Sequence, residues 1–297
     1  MDFSTLAVIE SDPKLSPYYE DVRDFLTYLN RTEGTRFRLR GLSPDVSEVE
    51  TEIEYVHRWT ATYRRGWIAK LYQLDEWYKR EQPPVTMLTL TTYQDGDYSR
   101  WKGRYLTIPE SFETLKGGWK NLSMVLRKPD SLGKFDYLSI MEPHKTGYPH
   151  LHVPIFAEVS DPLQEKIGNL WEGYGAGSAE HGVNFSFRES RTDISSIRNY
   201  LLKYLSKGLT GTGSRFGDES LTPGQWVFQA LVWRHHWRIF GSSRNLSQVM
   251  TWDRTSEPVQ WLSTDLIDQN GDVHPLWRQE GSEALLDGLF SMWEPAP

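Results

Sequence analysis

The chain has no cysteine in its 297 residues. Disulfides and thiolate metal sites are therefore excluded, and a reducing cytoplasm is the expected compartment. Long apolar runs are also missing. No stretch approaches the roughly 18 residues of a membrane span, and the opening Met-Asp-Phe-Ser-Thr lacks the basic start and apolar run of a signal peptide, so no membrane partner is expected. Positive charge is in short supply, with a formal net charge of −7. That argues against a protein coated in basic residues, although a local basic patch suffices for a nucleic-acid partner. The glycine-rich stretch 173–178 is not closed by Gly-Lys-Ser/Thr and no strand feeds it. It is not a phosphate-binding loop, and no fused helicase is expected. Internal repeats, long heptads and low-complexity blocks are absent as well.

Aromatic residues are abundant: 13 Trp, 15 Tyr and 12 Phe. Such side chains fill cores, and they also stack on unpaired bases. The pattern along the chain predicts α+β order. Residues 1–45 read as a loose lead-in with one short helix opened by Ser16-Pro17. Residues 46–82 read as one long helix, with Val49, Ile53, Val56, Thr60, Tyr63, Trp67, Leu71, Leu74 and Tyr78 on one stripe. From His57 onward that helix carries Arg58, Arg64, Arg65, Lys70, Lys79 and Arg80 against Asp75 and Glu76. It is either a solvated face or a phosphate-contacting arm with Trp59, Trp67 and Trp77 interleaved. Pro83-Pro84 marks a boundary. Strands are predicted at 85–93, 135–142, 149–156 and 183–187, and helices at 111–126, 161–174 and 193–207. Residues 225–239 leave helix and strand open. The resulting division is an N-terminal helical region at 1–84, a core at 85–222 and a C-terminal extension at 223–297.

Two stretches carry chemistry. In Gly147-Tyr-Pro-His-Leu-His152 the histidines flank one apolar residue. On a strand, His150 and His152 project from the same face while Leu151 turns to the other. Residues 143–149 have the composition of a hairpin loop, which returns Glu142 beside the two imidazoles. One carboxylate and two imidazoles suit a divalent ion of the Mg²⁺ or Mn²⁺ class with open positions. A half-buried strand whose histidines only meet solvent would give the same pattern.

The second stretch is Tyr200-Leu-Leu-Lys-Tyr-Leu-Ser-Lys207. On a helix, Tyr200 and Tyr204 stand one turn apart on one face, with Lys203 and Lys207 within reach of their phenols. A nearby ammonium favours the phenolate and offsets the charge of a phosphate under attack. An amphipathic helix using tyrosine for packing is the competing reading. His235 and His236 are adjacent, so on a strand they would face opposite ways, and they are read as structural or DNA-facing.

Three segments, in order, resemble the HUH endonuclease superfamily of rolling-circle replication initiators. They are Met87-Leu-Thr-Leu-Thr91, the Gly147–His152 segment with Glu142, and Tyr200–Lys207. The phrase Ile140-Met-Glu-Pro-His-Lys-Thr-Gly-Tyr-Pro-His-Leu-His152 is most like initiators of small haloarchaeal plasmids and pleomorphic viruses. The resemblance covers about residues 85–210. It implies an RRM-like central antiparallel sheet with flanking helices, and Glu142, His150 and His152 as ligands of Mn²⁺ or Mg²⁺. It further implies metal-dependent nicking of single-stranded or melted origin DNA by Tyr204, with Tyr200 as partner and Lys203 and Lys207 assisting. The product would be a 5′-phosphotyrosine and a free 3′ hydroxyl, with later rejoining of strands. Arg188, Arg191 and Arg198 are candidates for contacts to the DNA backbone, and a host helicase or polymerase is a candidate partner. The expected setting is the cytoplasm of an archaeal or bacterial cell, with the gene on a plasmid or virus. A transposase or relaxase with the same chemistry, or a regulator that binds DNA without cleaving it, are the alternatives.

Overall fold

The computed structural model describes residues 4–43, 47–93, 106–187, 221–250 and 260–278. The fold is α+β, and the described residues contain two antiparallel sheets. The chain divides into two compact units. The first comprises Met1–Val22 and Ile68–Thr251, and the second Arg23–Trp67 and Trp252–Pro297. Two helices, α1 (Ser4–Ser11) and α2 (Tyr19–Thr32), open the chain. No described helix is long and apolar enough to cross a membrane.

The first unit is built on five strands: β3 (Thr86–Thr91), β4 (Asp136–Pro143), β5 (Pro149–Phe156), β6 (Val183–Phe187) and β7 (Phe240–Ser242), in the order β6-β3-β5-β4-β7. Alternation along these strands sorts the side chains. Leu88, Leu90, Leu151, Val153 and Ile155 are buried on one face. Helix α4 (Ile108–Leu126) covers that face with Phe112, Leu115, Trp119, Leu122 and Leu126, spaced to make one stripe, and every one of them is buried. Its start is fixed by a capping box in which Thr107 and Glu110 exchange bonds, with Pro109 in the first turn. Helix α5 (Asp161–Gly173) packs beside α4. The fully buried Trp171 lies where a Cβ on Gly118 would come within 2.5 Å of its ring. On the opposite face of the sheet, Trp77 of helix α3 (Ala61–Glu81) meets Phe156 edge-on at 5.1 Å.

Residues 225–239, left open by pattern alone, form most of helix α6 (Pro223–Arg234) and then turn out of it. His235 caps the helix and stacks on Trp237, and His236 takes a positive φ of 51°. The two histidines are therefore not on a strand.

The second unit holds a sheet of order β2-β1-β8-β9, made from β1 (Arg36–Leu42), β2 (Glu48–Glu54), β8 (Gln260–Ile267) and β9 (Val273–Arg278). This corrects the long helix expected over 46–82. Its first part is strand β2, and α3 starts only at Ala61. Glu48, Glu50, Glu52 and Glu54 alternate along β2, and β1 answers with Arg36 and Arg38 on Glu52 and Arg40 on Glu50. The lead-in and the C-terminal flank thus contribute strands as well as helices, β1 pairing directly with β8. Trp59 precedes α3 and is buried against Phe25 and Tyr28. With Trp77 also buried, two of the three tryptophans interleaved along the expected phosphate-contacting arm are core residues. Lys79 is held by Asp75 and Glu76.

Candidate functional site

The β4–β5 hairpin places the three proposed ligands on one sheet face. Glu142 is directly opposite His150, and Ile140 is opposite His152. Side chains facing each other across an antiparallel pair share a face, so Glu142, His150 and His152 project together, away from the Leu151 side. The Glu142 Oε2 lies 3.1 Å from His152 Nε2, with both side chains about nine-tenths buried (12% exposed for His152, 10% for Glu142).

The turn that closes the hairpin is tightly determined. His144 N–H donates to Tyr148 O, and Gly147 N–H donates to His144 O. Gly147 has φ of 91°, a conformation open to glycine. A Cβ there would also lie 2.5 Å from Gly224 O, and a Cβ on Gly224 would overlap the Thr146 carbonyl carbon. The two glycines allow the start of α6 to press backbone to backbone on the turn. Thr222, the N-cap of α6, donates its hydroxyl to Lys145 O at 2.6 Å. Tyr148 donates to Leu106 O at 2.8 Å.

Strand β3 supplies two residues that the sequence reading did not single out. Thr89 faces His152 and Thr91 faces His150 in the ladder. Thr89 Oγ1 is 3.1 Å from His152 Nδ1, and Thr91 Oγ1 is 2.9 Å from His150 Nδ1. A third histidine, His144, has its ring centroid 5.4 Å from that of His150. The available signal was the Thr-x-Thr alternation of β3 matching His-x-His, but reading it required the register.

The donor chemistry fits a hard divalent ion, one carboxylate oxygen with two imidazole nitrogens. The spacing is that of a closed pair plus a neighbour. Among the described residues no group of three His, Asp or Glu side chains is gathered tightly enough to hold a metal ion. Tyr200, Tyr204, Lys203, Lys207, Arg188, Arg191 and Arg198, with the helix expected at 193–207, lie outside the described residues. Their neighbours on either side are placed. Strand β6 ends with Phe187 opposite Thr86, at the end of β3 away from His150, and the chain is next described at Leu221, beside the turn that leads into His150.

Comparison with known proteins supplies the family. Residues 85–209 match the model of the replication-associated protein ORF2 family, an interval that contains Thr89, Thr91, Glu142, His150, His152, Tyr200 and Tyr204. An uncharacterized 36 kDa protein of Halobacterium salinarum is 30% identical over 268 residues, covering 81% of this chain and 80% of that protein. A replication protein of Haemophilus phage HP1 is 25% identical over 193 residues, covering 60% of this chain but 24% of the phage protein. No solved structure matches. The chain belongs to one family with the Halobacterium salinarum protein, and its residues 85–209 are similar to the replication-associated ORF2 family.

Proposed function

We propose that this protein is a replication initiator that nicks single-stranded or melted origin DNA by tyrosine transesterification. The observation that carries the proposal is that Glu142, His150 and His152 project from one sheet face, inside the segment matched by the replication-associated model. A Mn²⁺ or Mg²⁺ ion held by these three residues would polarise the scissile phosphodiester and offset charge built up in its transition state.

The chain's own residues account for the remaining steps. The Tyr204 phenolate oxygen bonds to phosphorus while the bond from phosphorus to the 3′ oxygen breaks. The leaving oxygen takes a proton to become a 3′ hydroxyl, from which a polymerase extends. The 5′ phosphate stays on the tyrosine, so the linkage is conserved and the strand can be rejoined. Tyr200 serves a second cleavage while Tyr204 is occupied, and Lys203 and Lys207 favour the phenolate and contact phosphate. Arg188, Arg191 and Arg198 contact the DNA backbone. The anchoring of Thr222 on the turn before His150 supports this arrangement, because it brings the chain that follows the tyrosines back beside the histidine strand.

The test is a covalent-adduct assay with labelled single-stranded origin DNA, in Mn²⁺ or in EDTA, on denaturing gels. A metal-dependent shift of the protein band is expected, lost in the Tyr200→Phe/Tyr204→Phe double variant and in His152→Ala. Cleavage without an adduct would replace tyrosine by water as the nucleophile. Neither cleavage nor adduct would remove the enzymatic reading and leave DNA binding.

A further inference from the structure

Both histidines of the site are held by the same ring atom from the same neighbouring strand. Thr89 and Thr91 alternate along β3 in register with His152 and His150, and each places its hydroxyl within hydrogen-bond distance of Nδ1, at 3.1 and 2.9 Å. Tying each ring at Nδ1 turns each Nε2 away from β3. For His152 that nitrogen then lies 3.1 Å from Glu142. The repeat of one contact on a two-residue period is what a pleated strand produces when two ligand rings need the same orientation.

Thr91 is itself clamped. Its N–H donates to Gly182 O at 2.8 Å, and its carbonyl accepts the Trp171 indole N–H at 3.0 Å. A Cβ on Gly177 would overlap the Thr91 carbonyl oxygen, and one on Gly182 would come within 3.1 Å of it. The glycine-rich stretch that is not a phosphate-binding loop therefore has a different part. It lets the backbone close over the end of β3 and fix the residue that orients His150.

We propose that Thr89 and Thr91 are positioning residues that set the rotation and tautomer of His152 and His150, presenting both Nε2 lone pairs to a divalent cation. This rests on reading Glu142, His150 and His152 as a cation site. An imidazole that ligates through Nε2 carries its proton on Nδ1, and a threonine oxygen accepts it. The hydroxyl can also rotate and donate to Nδ1, so that Nε2–H faces Glu142 when no cation is bound. A carbonyl in the same place could serve only the first state. A hydroxyl serves both, which lets the site fill and empty without moving the strand.

Thr89→Val and Thr91→Val remove the hydroxyl and keep β-branching, and Thr89→Ser and Thr91→Ser retain it. The full chain is measured in two ways, with thermal melts confirming that each variant is folded. In metal-free protein, long-range ¹H–¹⁵N spectra report the tautomer of each imidazole. The valine variants are expected to shift the Nδ1 and Nε2 resonances of the facing histidine alone, and the serine variants to restore them. Calorimetric titration with Mn²⁺ should show affinity about 10- to 100-fold weaker in each valine variant, with the serine variants close to wild type. If the valine variants keep wild-type imidazole spectra, the positioning role is overturned, whatever the wild type binds. If wild-type protein takes up no Mn²⁺ while the valine variants do shift the rings, the cation site is overturned and the threonine–histidine bonds stand. A serine variant as impaired as its valine counterpart, in a folded protein, would assign the effect to packing and overturn the proposal.

Discussion

Glu142 stands opposite His150 in the β4–β5 ladder yet reaches diagonally to His152, its Oε2 lying 3.1 Å from the imidazole Nε2. Diagonal neighbours on a sheet face are roughly 7–8 Å apart at the backbone, so the contact uses the full length of a glutamate. Glu142→Gln keeps that length and removes the charge. It is expected to cut Mn²⁺-dependent nicking by about 100-fold or more and to leave the melting temperature nearly unchanged. Glu142→Asp, one methylene short, should be impaired as well. Gel assays on labelled origin DNA read both, and wild-type nicking by Glu142→Gln would remove the carboxylate from the site.

The turn before His150 should tolerate no side chain at Gly147. Alanine there meets two penalties, the φ of 91° and a Cβ 2.5 Å from Gly224 O. Gly224→Ala meets one, an overlap of its Cβ with the Thr146 carbonyl carbon, without a positive φ. Each is expected to lower stability by about 2–3 kcal/mol, with Gly147→Ala the worse. Urea unfolding measures this, and a Gly147→Ala protein as stable as wild type would mean that the turn and α6 do not meet as described.

Much of the site was legible because its signals are local. His-x-His needs only the two-residue period of a strand, and the loop of Pro, Lys, Thr and Gly between Glu142 and His150 announces a hairpin. Thr89 and Thr91 were not legible as partners, because their role depends on pairing with a strand far along the chain. The misreading of 46–60 has a similar cause. Val49 and Ile53 satisfy a helical spacing of four and a strand period of two equally well. The discriminating signal was the strict alternation of Glu48, Glu50, Glu52 and Glu54, and its meaning appears only opposite Arg36, Arg38 and Arg40. Strand β8 was hidden for the same reason, since its partner β1 lies at the other end of the sequence.

Trp171 links the packed face of the sheet to the site face. Its ring fills the space left by Gly118, and its indole N–H is donated to the Thr91 carbonyl. Trp171→Phe should keep most of the apolar contact but leave that carbonyl without its indole donor, costing about 1–3 kcal/mol. Because Thr91 holds His150, the His150 imidazole resonances should move while those of His152 stay. Movement of both rings, or of neither, would break the proposed chain from Trp171 through Thr91 to His150.

The second unit carries an acid-sensitive element of its own. His57 sits among Tyr28, Tyr55 and Trp59 and is 3.3 Å from the Thr32 hydroxyl. Burial lowers it from 6.5 to about 4, with the nearby Glu54 carboxylate pulling weakly the other way. The unfolded chain takes up this proton near pH 6.5 and the folded chain only near pH 4, so between those values the unfolded state binds more protons. Stability from this group is complete above pH 6.5 and is lost as the pH falls toward 4. Allowing for partial exposure of the ring, the loss at pH 5 should be about 1–2 kcal/mol. A histidine titration followed by NMR should place His57 near pH 4, and His57→Phe should flatten the change in urea midpoint between about pH 7 and pH 5. A titration near pH 6.5 would show instead that water reaches the ring, and the acid sensitivity would then have to arise from other groups.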